Sequence, residues 1–338
     1  MKKRPYLAAP AAALGMLVLI LDSRTALNGA SDGISLCVKT IVPSLFPFIF
    51  LSGTFAAHCP RAGRFACFLS KPFGIPQGAE ALLVPALLGG YPVGAQCVYE
   101  SHRTGITSIH QAQRMLAYCS NVGPAFLFGI LPAFFAQSTT VWSIWAIQIF
   151  SILSAAFLFS TSYPASKTAA APASFGIEQA IWAMLKICGW VILFRVVIGF
   201  CRRWFLWMRS PLVQVLIMGT LELSNGCCML NLIADEKIRF VVCNVLLAFG
   251  GLCVLYQTAS VCPGLSMRFY LCGKLIQATA AAISAAALAF RLWILIPIWA
   301  LLLFSVKASE KAVEIRKNMV YNECKEKWRA GYAVSQKN

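Results

Sequence analysis

The stretch ALLGGYPVGAQ, residues 86–96, decides how this chain is read. It lies in a very apolar region, where an uninterrupted helix would be the simplest structure. Yet Gly89, Gly90, Tyr91, Pro92 and Gly94 all work against helix there. In a helix interior glycine costs about 1 kcal/mol and proline about 3 kcal/mol relative to alanine. Unpaired backbone in lipid costs several kcal/mol, so it survives only where it is buried in protein or lines a cavity. The break therefore predicts a polar site at membrane depth.

Composition supplies the membrane. Of 338 residues 59% are hydrophobic and 12% charged, with a mean hydropathy of +0.71. A soluble domain carries about 25% charged residues, and several apolar runs here approach the ~20 residues that cross a bilayer. The class is an all-α polytopic membrane protein. A net charge of +17 would suggest nucleic acid in a soluble chain. Here the basic residues cluster between apolar runs, at Lys2, Lys3 and Arg4, at Arg61, Arg64 and Lys71, at Arg202, Arg203 and Arg209, and from Lys307 onward. That pattern fits cytoplasmic loops and anionic lipid, not nucleic acid. Fourteen cysteines are scattered without CxxC or Cys/His ligand spacing, so neither a zinc site nor a disulfide framework is indicated.

The chain divides into an N-terminal span and loop (1–33), a first membrane repeat (34–160), a linker (161–175), a second repeat with its closing span (176–306) and a charged tail (307–338). The run from Leu7 to Leu21 also suits a signal peptide, but a retained span is preferred because no small-residue cleavage site is clear. Pro43 and Pro47 predict a kink in the next span, Ile34–Ala57. Uninterrupted spans are expected at Val141–Phe159, Ile177–Phe200, Leu265–Phe290 and Leu292–Val306.

Each side of the linker carries two breaks: GGYPVGAQ and SNVGP in the first half, ELSNG and FGGLCVLYQ in the second. Each has glycine and a polar partner, namely Gln96, Asn121, Glu222 with Asn225, and Gln257. Interrupted segments at corresponding places in two halves point to a transporter site at a repeat interface. Half-helix N-termini suit a carboxylate or phosphate, and unwound carbonyls suit a cation. Candidate substrate- or ion-binding residues are Gly89, Gly90, Tyr91, Pro92, Gly94, Gln96, Asn121, Gly123, Pro124, Glu222, Ser224, Asn225, Gly226, Gly250, Gly251 and Gln257. Glu222 is the one acid well inside an apolar run, and such a group is costly enough to be read as functional. It either couples protons or sodium or pairs with Arg195 or Lys186. Those two basic residues stand on roughly opposite faces of an ideal helix unless it bends at Gly189. No nucleophile elbow, HExxH or P-loop is present, so an enzyme is not expected, nor any cofactor or metal.

As a set, PSLFPFIFLSG (43–53), LGGYPVGAQ (88–96), AQRMLAYCSNVGP (112–124), LELSNG (221–226) and FGGLCVLYQ (249–257) resemble the YlbJ-type sporulation integral membrane proteins, of the nucleoside recognition or Gate domain group. The resemblance runs from about residue 7 to about residue 306. It implies inverted repeats with broken re-entrant helices, related to concentrative nucleoside transporters. It also implies transport of dipicolinic acid during endospore formation, in the mother-cell-derived outer forespore membrane. The family motif positions fall on Gly89, Gly90, Pro92, Gly94, Asn121, Gly123, Pro124, Glu222, Asn225, Gly226, Gly250, Gly251 and Gln257. One departure is Gln96, where a lysine is expected. The partners implied are a small anion, a coupling proton or sodium ion and the lipid bilayer; a homo-oligomer stays open. Tyr91 and Tyr256, each beside a break, are placed to stack on a flat aromatic dianion. The competing readings are a nucleoside or ion carrier and a non-transporting spore-membrane assembly protein.

Overall fold

The computed structural model describes residues 5–58, 75, 80–135, 137–160, 176–204 and 210–309, and among these the secondary structure is helix without strand. The basic clusters at 2–4, 61–71 and 209, the linker at 161–175 and the tail beyond 309 lie outside the described residues. Helices α1 (Pro5–Leu21), α2 (Ser23–Leu36) and α3 (Val42–His58) open the chain, with a π-helical turn, Cys37–Ile41, joining the last two. Then come α4 (Leu83–Leu87), α5 (Val93–Arg103), α6 (Ile109–Met115), α7 (Pro124–Ile130) and α8 (Ser138–Phe159). After the linker follow α9 (Ile177–Trp204), α10 (Pro211–Leu221), α11 (Leu223–Cys228), α12 (Glu236–Phe249), α13 (Gly251–Val261) and α14 (Arg268–Phe290). A shorter apolar helix, α15 (Leu295–Ser309), closes the described chain.

Among the described residues, five helical stretches are long and apolar enough to cross a membrane: Ser23–Leu51, Ser138–Phe159, Ile177–Trp204, Glu236–Val261 and Arg268–Phe290. The expected span at Ile34–Ala57 therefore begins eleven residues earlier. The polar sequence SRTALNGASDGISL looks like a loop, but it folds as α2 because two glycines seat it on α9. A Cβ on Gly29 would stand 2.9 Å from Val196 Cα, and one on Gly33 would stand 2.8 Å from Ile192 Cα. Within lipid, helices associate through such close backbone packing, since apolar burial alone gains little there. The kink expected at Pro43 and Pro47 appears as the π-turn just before Pro43, whose missing N–H cannot support the preceding turn. The expected closing span at Leu292–Val306 forms α15, which is too short for an ordinary crossing.

Among the described residues the two larger buried cores each draw on both sides of the linker. One joins Ala86 and Val98 of the first half to Met184, Ile187 and Cys253 of the second. The other joins Val122 and Leu127 to Leu223 and Leu247. Large apolar side chains such as Leu17 on α1, Trp182 on α9 and Leu301 on α15 stay exposed. That arrangement suits lipid as the surrounding solvent.

Candidate functional site

The first break is the tip of a hairpin formed by α4 and α5. Leu88 N–H bonds Val84 O and Val93 N–H bonds Gly90 O, and between them Gly90 takes a left-handed φ of 73°. Such a φ is free of steric cost only for glycine. The second break, 116–123, leaves α6 and becomes extended at Gly123, and Pro124 then starts α7. The two breaks lie back to back, because a Cβ on Gly123 would come within 2.9 Å of Gly90 Cα. A Cβ on Gly94 would strike the Cys119 carbonyl.

The second half also carries two breaks. Glu222, with extended φ and ψ of −145° and 118°, separates α10 from α11. Gly250 and Gly251, at φ of 81° and 82°, separate α12 from α13. Gly226 packs on Gly219 across the α10–α11 hairpin, and Gly251 packs against Gly219 O. The halves meet at Tyr91. Its hydroxyl donates to Leu247 O at 3.0 Å, and a Cβ on Gly250 would press on its ring at 3.0 Å.

These segments surround one cavity, with Gly90, Tyr91, Gly123, Glu222, Ser224 and Gln257 among its lining residues. Thr40 and Ser44 add polar groups from the π-turn and α3, and Phe126, Val191 and Val254 contribute apolar wall. The open volume is ≈ 40 Å³, room for about three waters at about 10–15 Å³ each. Six of the predicted positions thus line the cavity. Gly89, Pro92, Gly94, Gln96, Asn121, Pro124, Asn225, Gly226, Gly250 and Gly251 do not. Gly94, Gly226, Gly250 and Gly251 instead let backbone or the Tyr91 ring approach closely. Tyr256 is corrected outright: it is 48% exposed and stacks on Trp190 at 4.9 Å, away from the cavity.

Glu222 makes a contact that the sequence did not announce. Its carboxylate accepts from Ser224 N–H at 2.9 Å and Asn225 N–H at 2.7 Å, so it caps α11. Among the described residues no ion pair joins it to Arg195 or Lys186. Lys186 is exposed, while Arg195 Nη1 donates to Asn225 Oδ1 at 2.8 Å. The two sit on different faces of an unbroken α9, as the helix period requires. The N-terminus of α11 is already occupied by a carboxylate and is not available to an external anion. Glu222→Gln should lower the thermal midpoint of the purified protein, with a cost of about 1–3 kcal/mol. Its amide offers a single acceptor oxygen, and its nitrogen would face one of the two backbone donors. An unchanged midpoint with lost transport would return Glu222 to an ion-coupling role.

Sequence reading missed Lys274. It is 1% exposed on α14, and its ammonium donates to Gln277 Oε1 at 3.0 Å, Asn121 Oδ1 at 3.1 Å and Tyr91 Oη at 3.2 Å. Its Nζ also stands 4.8 Å from the centre of the Tyr91 ring. α14 comes this close because Gly273 packs on the backbone of Ala117, and Gln277 Nε2 donates to Ala117 O at 2.8 Å. The signal was present in the sequence: a lone lysine inside a long apolar run is as costly as a lone glutamate. No family model, curated protein or solved structure matches the chain.

Proposed function

We propose that this protein is a membrane carrier for a small anionic metabolite, with dipicolinate as the candidate substrate. The observation that carries the reading is the meeting of four interrupted segments, two from each side of the linker, around one cavity. Broken backbone at membrane depth is retained where it lines a path for a polar solute. The order hairpin, broken helix, span recurs on both sides, which supports inverted repeats and kinship with concentrative nucleoside transporters. Charge favours an anion. Lys274 lies one side chain behind the cavity wall, through Tyr91, and Arg195 binds Asn225, the chain neighbour of the lining residue Ser224; against these two cations the described lining sets the carboxylate of Glu222.

The motif resemblance, not the geometry, supplies dipicolinate and the outer forespore membrane. Of the two tyrosines only Tyr91 lines the cavity and can meet a flat ring, since Tyr256 faces elsewhere. A cavity that holds a few waters must widen to admit such a ring, so the four ends part during the cycle. Protein reconstituted in vesicles should exchange labelled dipicolinate and be little affected by uridine or adenosine. Tight nucleoside exchange that dipicolinate does not compete with would overturn this assignment in favour of a nucleoside carrier.

A further inference from the structure

Lys274 is unusual for what does not face it. A lysine near a helix end can extend its amine to the membrane surface, but here the side chain turns inward and is 1% exposed. An ammonium has three N–H donors, and each has one acceptor: a phenol and two amide oxygens. Among the described residues it has no carboxylate partner. A charge held at this depth by neutral dipoles alone is costly, which makes it a functional group by default. The Tyr91 and Tyr270 rings, at 4.8 Å and 5.7 Å from Nζ, add only their π faces.

The surrounding elements supply little else that titrates. α8 carries no titratable side chain. The 116–123 stretch brings the Tyr118 phenol and the Cys119 thiol. Buried α12 offers Cys243, and its charged residues Glu236, Lys237 and Arg239 lie at its outer start. α6 carries His110, which is exposed, and Arg114, which binds Phe159 O.

We propose that Lys274 is the proton-binding site of the carrier, loaded together with the anion. The inference rests on the anionic-substrate reading. An anion in the cavity would stand one tyrosine ring from an otherwise unbalanced cation, and each would stabilise the other. When the anion leaves, the ammonium gives its proton to water and becomes a neutral amine with two donors and a lone pair. Tyr91 can then donate to that lone pair only by releasing Leu247 O, its present acceptor. The proton on Lys274 is thereby tied to the contact between the first break and the α12–α13 break. By reciprocity of linkage, the anion draws in a proton to the same extent that the proton tightens the anion.

Calorimetry of dipicolinate binding to the purified full chain, in buffers of different ionisation enthalpy, counts the protons. Working between about pH 6 and pH 10 keeps the ligand carboxylates ionised. Wild type should take up about one proton per anion, with Kd weakening about tenfold per pH unit above the pH at which the unliganded amine discharges. Lys274→Arg, which stays charged, should bind with no proton uptake and no pH dependence. Lys274→Gln should bind about tenfold or more weakly, again without proton uptake. Dipicolinate binding by wild type without proton exchange would overturn the coupling and leave the anion reading intact. So would proton uptake that survives in Lys274→Arg. Uridine binding with no dipicolinate binding would overturn both together.

Discussion

Replacing Gly94 or Gly273 with alanine is expected to remove most of the folded protein from the membrane. At Gly94 the new Cβ falls on the Cys119 carbonyl, and at Gly273 it falls on the backbone of Ala117. Neither neighbour is the free end of a flexible side chain that can swing aside. The cost should exceed the usual 1–3 kcal/mol of an overpacked site, because backbone must move and break paired N–H groups with it. Gly273 has the wider effect, since the same approach brings Lys274 to Asn121 and Gln277 to Ala117 O. Gly15→Ala and Gly129→Ala are the controls, with nothing within 4 Å of the added methyl. Fluorescence-detected size exclusion should show a monodisperse peak for the controls and little or none for the other two. A normal peak for Gly273→Ala would mean that α14 and the 116–123 stretch are not in contact.

Asn121→Leu is expected to be the most damaging exchange of similar volume near the cavity. The Asn121 amide nitrogen donates to Ala86 O at 3.3 Å and to Tyr118 O, and its oxygen accepts from Lys274. One side chain thus joins the first hairpin, the second break and α14. Leucine would leave two buried carbonyls and one ammonium N–H without partners. At about 1–3 kcal/mol for each orphaned group, more where it is charged, the total reaches upwards of about 4 kcal/mol. Adding Lys274→Met to Asn121→Leu removes the stranded charge, so the double variant should melt higher than Asn121→Leu alone. A double variant that melts lower would show that the ammonium is stabilised by groups other than Asn121.

The breaks were legible because glycine, proline and polar residues interrupt apolar runs, and the penalty for that in lipid is severe. Gly90, Gly123, Glu222 and Gly250 stand where the structure turns. What each break does was less legible. Glycine at a site and glycine at a packing contact look alike in a sequence, and Gly94 and Gly226 are contacts. In the sequence Glu222 reads as a functional charge inside an apolar run, and the two N–H groups of α11 that close on it are not visible there, because such a cap depends on φ and ψ at one residue. α2 was hidden because its polar composition describes a loop, whereas its stability comes from the opposite helix. Lys274 was overlooked for a different reason. It stands outside every break, and only the packing of Gly273 carries it to them.

The π-turn at Cys37–Ile41 adds a constraint of another kind, on residue count. Val42 N–H reaches back five residues to Cys37 O, so the helix carries one residue more than regular α spacing would use. Thr40 and Ile41 line the cavity from this turn, while Gly29 and Gly33, upstream, seat α2 on α9. A one-residue deletion here would restore a regular helix and swing α2 by about 100° about its axis. The two glycines would then face away from Val196 and Ile192. The segment is therefore fixed in length as well as in composition: substitutions within 37–41 disturb the core or a wall of the cavity locally, whereas insertions or deletions turn an entire helix out of phase.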